Sequence, residues 1–250
     1  MTKDPISCYM FVMICYENGD LYSYFEESMG VFCWRDIVDM LWRISAGLNV
    51  IHENNFIHGH LHGGNILVEN EADSIDAKIT DTGLHGPFDV SSQEIYGVIP
   101  FVAPEIFNGN TPSKESDIYS FGMIMWMASA GVRPYYNRPH DLQLVQEICS
   151  GLRSSAIDGT PPVFSKLMFE CLDADPSKRP TASQLIDLLE GLFSTISNNP
   201  EEQIFPNLEN QLHQEIHPQA LYTSRFLYFP ELINIFNLTE SNNSFTKEKI

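Results

Sequence analysis

Ile57-His58-Gly59-His60-Leu61-His62-Gly63-Gly64-Asn65-Ile66-Leu67 is the stretch on which the fold of this chain turns. It places three of the chain's eight histidines at alternate positions, ahead of a glycine pair and an Asn that leads into apolar residues. Two chemistries suit it. Alternate residues of an extended segment face one side, so His58, His60 and His62 could present neutral imidazoles to a metal such as Zn²⁺, as in a metal-dependent hydrolase. Or the stretch is a turn that sets polar groups over a phosphate site. A metal site needs further His or Asp ligands from other strand ends, and the chain downstream has a helical pattern.

Working outward, residues 34–54 carry apolar side chains at Ile37, Met40, Leu41, Ile44, Leu48 and Ile51. That spacing predicts a long helix with one buried face, ended by Asn54-Asn55. On the other side, Ile66-Leu67-Val68 and Ala77-Lys78-Ile79-Thr80 flank a polar loop and predict a hairpin, with Asp81-Thr82-Gly83 at its exit. Residues 84–100 show little periodicity and read as a long loop, a length at which loops are usually functional. Ser113 is placed to cap a helix whose residues 118–130 are almost all apolar or small. A helix apolar on every side is buried on every side, and this one is too short for a bilayer. Further amphipathic helices are predicted at 141–149, 163–172 and 182–193, with Pro161-Pro162 and Pro176 as interruptions. Ahead of the opening stretch, residues 9–16 (YMFVMICY) predict a buried strand, and residues 21–25 a short helix capped by Asp20. Beyond Ser194 the pattern loosens into a linker at 198–202. An aromatic-rich segment, 217–236, is expected to dock back, and the last dozen residues read as a disordered tail.

With 250 residues, 43% of them hydrophobic, the chain can bury one good core. Its net charge is −19, from 33 acidic and 14 basic residues, which argues against a nucleic-acid or anionic-membrane surface. Five scattered cysteines, none in a C-x-x-C pair, read as reduced and mostly buried thiols, and cytoplasmic location is the expectation. Residues 6–16 are apolar but lack the flanks of a signal peptide, and no run approaches a membrane span.

The spacing His58-x-His60-Leu61-x-x-x-Asn65, then a hairpin, then Asp81-x-Gly83, then Ala103-Pro104-Glu105, resembles the signature set of the eukaryotic protein kinase family. Asp117 and Arg179 also fall where kinases keep an Asp and an Arg. The order holds from about residue 9 to 193, and Gly64-Asn65-Ile66-Leu67 is closest to the tyrosine-kinase-like branch. The resemblance implies a mainly helical (α+β) fold: the hinge strand and C-terminal lobe of a kinase over residues 1–195, with a tail at 196–250 and the N-terminal lobe largely missing. It implies that Met13, Ile14, Cys15 and Tyr16 face an adenine ring, Met13 near the gatekeeper. Asn65 and Asp81 would hold Mg²⁺. His58, Thr82, Gly83, Glu105, Asp117 and Arg179 would be structural, Glu105 pairing with Arg179 and Asp117 accepting amides of the 58–60 turn.

The chain departs from the pattern where the chemistry sits. His60 stands at the catalytic Asp, Gly59 at the preceding Arg, His62 at the Lys of Ser/Thr kinases, and Thr82 at the Phe of D-F-G. The given sequence has no Gly-rich loop and no Lys for the α- and β-phosphates ahead of the hinge strand. The expectation is therefore a pseudokinase that acts through a protein partner and binds Mg-ATP weakly at most. The alternatives are an active ATP-dependent kinase whose N-lobe is absent from this sequence, and the histidine-based metal hydrolase.

Overall fold

A computed structural model describes residues 2–3, 9–10, 14–27, 33–70, 75–82, 95–198 and 215–229. The described elements are β1 (Thr2–Lys3), β2 (Tyr9–Met10), α1 (Leu21–Glu27), α2 (Trp34–Glu53), β3 (Ile66–Asn70), β4 (Ile75–Ile79), β5 (Ile95–Gly97), α3 (Pro104–Phe107), α4 (Lys114–Ala130), α5 (Leu142–Cys149), α6 (Pro162–Cys171), α7 (Ala182–Asn198) and β6 (Arg225–Leu227), with short 3₁₀ turns at Gly63–Asn65, Ile99–Phe101 and Pro176–Lys178. The strands form antiparallel pairs β1–β2, β3–β4 and β5–β6. The fold is mainly helical.

Helix α4 is the pillar. Every residue from Ser116 to Ala130 is buried, as the unbroken apolar run requires. Ser113 starts it by accepting the Ser116 amide at 3.2 Å, and Gly131 ends it in the left-handed conformation, φ 66°. Helix α4 lies against α2 and α6. Gly122 permits the closest approach: a Cβ there would sit 2.8 Å from Cys171 Cβ. Helix α2 buries Ile37, Met40, Leu41, Ile44 and Leu48 and packs on α7 and on the β3–β4 hairpin. That hairpin runs in register from Ile66 opposite Ile79 to Asn70 opposite Ile75. It fixes the distance between the opening stretch and Asp81.

Several expectations are revised. Among the described residues of 9–16, Tyr9–Met10 is a strand, paired with Thr2–Lys3. Residues 14–16 are irregular and Ile14 is 80% exposed, because no third strand lies beside them among the described residues. Residues 11–13 lie outside the described residues. The loop expected at 84–100 contains strand β5 and a 3₁₀ turn at its end, and residues 83–94, with Gly83, Ser91 and Ser92, lie outside the described residues. Helix α7 runs past Phe193 to Asn198, since Ser194 and Thr195 hydrogen-bond back to the Glu190 and Gly191 carbonyls and Ile196 is buried. Pro161-Pro162 starts α6 instead of merely interrupting, Pro162 taking the first helical position. Of the thiols, Cys171 is buried, Cys33 and Cys149 are half-buried and Cys15 is exposed. The last dozen residues, expected to form a disordered tail, lie outside the described residues.

Candidate functional site

The opening stretch is held from beneath by one carboxylate. Asp117, in the first turn of α4, accepts the His58 and Gly59 amides, both at 2.8 Å, and the His52 Nε2–H at 2.9 Å. One side chain thereby ties the C-terminal end of α2, the 58–60 turn and the start of α4. Gly59 sits at φ +79°, a conformation that disfavours any side chain, so the residue at the Arg position suits the turn it occupies.

The histidines are not arranged around a metal. The His60 amide donates to His58 Nδ1 at 3.4 Å. An amide can only donate, so Nδ1 is the acceptor and the ring proton is on Nε2, which faces the Thr80 carbonyl at 3.0 Å. The same argument holds for His62: Nδ1 accepts the Gly64 amide at 3.0 Å, so Nε2–H donates to Ser224 Oγ at 2.6 Å. Neither ring has a nitrogen lone pair to spare. That tautomer also disqualifies His62 as a general base toward Ser224, because a base must accept the hydroxyl proton. Among the described residues no group of three His, Cys, Asp or Glu side chains could hold a metal ion. The hydrolase reading is withdrawn on these grounds.

His60, at the catalytic-Asp position, is 6% exposed. Its ring lies 4.6 Å from that of His58 and edge-on to Tyr96 at 5.8 Å. The space between His60 and Phe101, Val102 and Ala103 has room for about one water. His62, at the Lys position, is 3% exposed and stacks on Tyr22 at 6.0 Å. Burial, with the neighbouring His58, pushes its pKa down to about 4, so the ring is neutral near pH 7. It is a latch within the protein and does not face a phosphate. Gly63 is required beside it, because a Cβ there would come within 2.5 Å of the Tyr22 ring.

Asn65 and Asp81 are brought together. The Thr80 amide donates to the Asn65 carbonyl at 2.9 Å, which sets Asp81 next to Asn65. Asn65 Nδ2 donates to the His60 carbonyl at 3.1 Å, leaving its amide oxygen as an acceptor. Asp81 is exposed and left-handed, φ 62°, a strained position for a non-glycine residue. Thr82 beside it is exposed. On the near side, the Tyr16–Asp20 turn is pinned to β3 by the Val68 amide, which donates to the Gly19 carbonyl at 3.0 Å. Ile14, Cys15 and Tyr16 precede this turn, and Ile14 and Cys15 are exposed. Met13 lies outside the described residues.

Below the site, Glu105 and Arg179 form a buried bidentate pair, 2.6 Å and 2.8 Å. Arg179 also donates to the Asp173 and Glu115 carbonyls, each at 2.9 Å. Four residues not singled out from the sequence complete this side: Ser224 meets His62, Arg133 and Tyr222 meet Tyr22, and His140 meets Tyr222. The aromatic density of 217–236 was the one available signal, and it could not name their contacts.

The family described as protein tyrosine and serine/threonine kinase matches residues 2–189, and the chain belongs to that family. The rat ephrin type-A receptor 8 is 32% identical over 190 residues, covering 73% of this chain and 50% of the relative. The zebrafish (Danio rerio) ephrin type-A receptor 3 is 30% identical over 196 residues, 76% of this chain and 20% of the relative. A probable serine/threonine-protein kinase of Dictyostelium discoideum is 26% identical over 212 residues, 79% and 12% respectively. The chain thus spans half or less of the length of these relatives. Among the described residues, no helix is long and apolar enough to cross a membrane.

Proposed function

We propose that this chain is a non-catalytic kinase-family domain, a pseudokinase, that works by binding another protein. The observation that carries the reading is His60: an imidazole buried between His58 and Tyr96 stands where the family places an open carboxylate. A positioned general base is worth roughly 10²–10⁴-fold, and an imidazole packed in this way supplies neither the carboxylate's charge nor an open approach for a hydroxyl. Asn65 and Asp81, on neighbouring backbone, are both oxygen-donor residues, the residue type that suits a hard divalent cation. Those two residues would hold Mg²⁺, and when bound Mg-ATP would supply a transferable phosphoryl group. Weak nucleotide binding is part of the reading. The net charge of −19 favours a protein partner over nucleic acid or an anionic membrane, and we place its action in the cytoplasm.

The test is a phosphoryl-transfer assay with Mg-ATP and generic Tyr- and Ser/Thr-containing peptides. No turnover above background is expected, together with weak, Mg-dependent nucleotide binding that Asp81→Ala abolishes. A rate that Asp81→Ala removes would establish instead an active kinase with His60 in its catalytic loop.

A further inference from the structure

Residues 215–229 return to the domain after α7, and the seam that fastens their first half closes around one side chain, His140. Its ring is buried. Nδ1 lies 3.1 Å from the Leu221 carbonyl and Nε2 lies 3.3 Å from the Tyr135 carbonyl. The His140 amide donates to the Gln219 carbonyl at 3.0 Å, and the His217 amide donates to the Tyr136 carbonyl at 2.8 Å. Tyr222 stands nearly perpendicular to the His140 ring, centroids 4.9 Å apart, and donates to the Pro134 carbonyl at 2.7 Å. One imidazole therefore touches both sides of the seam, the 133–140 loop and the returning segment. That segment is shallow enough to open by itself: Ala220, Tyr222 and Leu227 are buried, while Leu221, Phe226 and Tyr228 are exposed.

Both carbonyl oxygens can only accept. A neutral imidazole carries one N–H, so it satisfies one of them and turns a lone pair toward the other. A protonated ring has a donor for each, but its charge would be buried without a counter-ion. From the loop comes Arg138, whose guanidinium is held by Glu147 of α5. Asp141, ahead of α5, accepts the Leu144 amide at 3.1 Å. The returning segment brings the Tyr222 phenol and Arg225, whose Nη2 donates to the His140 carbonyl at 3.3 Å. It also carries His217, whose Nδ1 accepts the Gln219 amide at 3.1 Å. Among the described residues no carboxylate pairs with His140. Burial outweighs the pull of the two carbonyls, and Arg225 and Arg138 add to it, so the ring's pKa lies below the ordinary histidine value. Opening the seam returns the ring to water and to a pKa of about 6.5. The open form therefore binds the proton more tightly, and the closed form keeps its full advantage only above about pH 6.5.

We propose that His140 is a proton-operated catch: a proton taken up between the Tyr135 and Leu221 carbonyls releases the segment that Tyr222 and Ser224 anchor. Release unseats Tyr222 from the Tyr22 and Arg133 side chains, and Ser224 from His62 two residues further on. A proton bound at a loop outside the candidate site is in this way read out at His62, with no change in the charge of His62 itself. One proton is involved, so the opening equilibrium rises by at most about tenfold per pH unit below about pH 6.5, and levels off once the closed form is itself protonated. The catch rests on the seam alone and stands apart from the non-catalytic reading.

The test is amide hydrogen exchange of the full chain between about pH 7 and about pH 5.5, with each rate corrected for the intrinsic effect of pH. The His140, His217 and Ala220 amides, all bonded within the seam, should show an opening equilibrium at least about threefold larger at the lower pH, with α2 and α4 amides unchanged. A smaller rise would overturn the catch. In His140→Gln the rise should vanish, whereas in His62→Gln and His217→Gln it should remain. A rise that survives in His140→Gln, or that disappears in either of the other two, assigns the proton elsewhere and overturns the proposal. Should His140→Gln also loosen α2 and α4, the imidazole resonances of His140 in the unaltered chain decide. A titration midpoint below about 6.5 is expected, and one at or above that value would overturn the catch.

Discussion

At the scale of single residues, the site is held by a few buried polar groups, each with a measurable cost of removal. Asp117 accepts three hydrogen bonds and is 1% exposed. Asp117→Ala strands two backbone amides in the interior, so a loss of about 3–5 kcal/mol in unfolding free energy is expected from urea denaturation. Arg179→Ala should cost a similar amount, about 3–5 kcal/mol, because Glu105 is left charged and buried. Glu105→Leu/Arg179→Met, which removes both charges, should recover more than half of that loss. A double variant no better than the single would show that the Asp173 and Glu115 carbonyls, not the ion pair, carry the cost. His62 gives a pH signature. Its folded pKa of about 4 lies below the 6.5 of an unperturbed histidine, so the unfolded chain binds the extra proton first. The stabilisation is complete above about pH 6.5 and falls as the pH drops, by about 3 kcal/mol at pH 4. In His62→Gln the urea midpoint should lose most of that slope. His140 is shifted the same way by burial, against the pull of two carbonyls, and contributes a remainder.

At the scale of elements, α4 and its neighbours set the spacing on which the site depends. Gly122→Ala should force α4 and α6 apart, since a Cβ would lie 2.8 Å from Cys171 Cβ and 2.9 Å from Leu172 Cδ2. A loss of about 1–3 kcal/mol in calorimetric stability is expected, and an unchanged transition would mean that the two helices slide past each other freely. These helices were legible in the sequence because their signals are local. The spacing of Ile37, Leu41, Ile44 and Leu48 gave α2, Ser113 gave the start of α4, and its unbroken apolar run gave its burial. Strands β5 and β6 were not legible as a pair. Each has three residues, and Tyr96 meets Phe226 across most of the chain, so neither carries a periodicity long enough to read. The 9–16 run misled for the opposite reason. Its apolar composition is that of a buried strand, but burial needs neighbours, and Ile14 has none to cover it among the described residues. At the candidate site the spacing of Asn65, Asp81 and Asp117 could be read. The state of each histidine could not, since a tautomer is decided by partners such as Gly64 and Ser224 that only the fold brings near.

At the scale of the whole molecule, a net charge of −19 on 250 residues means that the native state contains much unrelieved repulsion. Ion pairs at the surface, such as Arg138 with Glu147 and Arg43 with Asp76, offset little of it. Raising NaCl from about 0.05 M to about 0.5 M should therefore raise the melting temperature by about 2–5 °C. A fall would indicate that the attractive pairs outweigh the excess of acid. The eight-residue α5 and the four-residue α3 lie against each other, and α3 carries in its first turn the Glu105 that Arg179 holds. The lower half of the molecule is thus joined to the base of the site by charge as well as by packing.

The burial of α4 bears on how the chain is made. Ribosomes add roughly 5–20 residues per second, and residues 118–130 emerge well before Pro162–Cys171, the helix that covers Gly122. For a time on the order of seconds, the most apolar segment of the nascent chain has no surface to close upon. Chains arrested ahead of residue 162 should be held by apolar-binding chaperones, and chains arrested after residue 198 should be released.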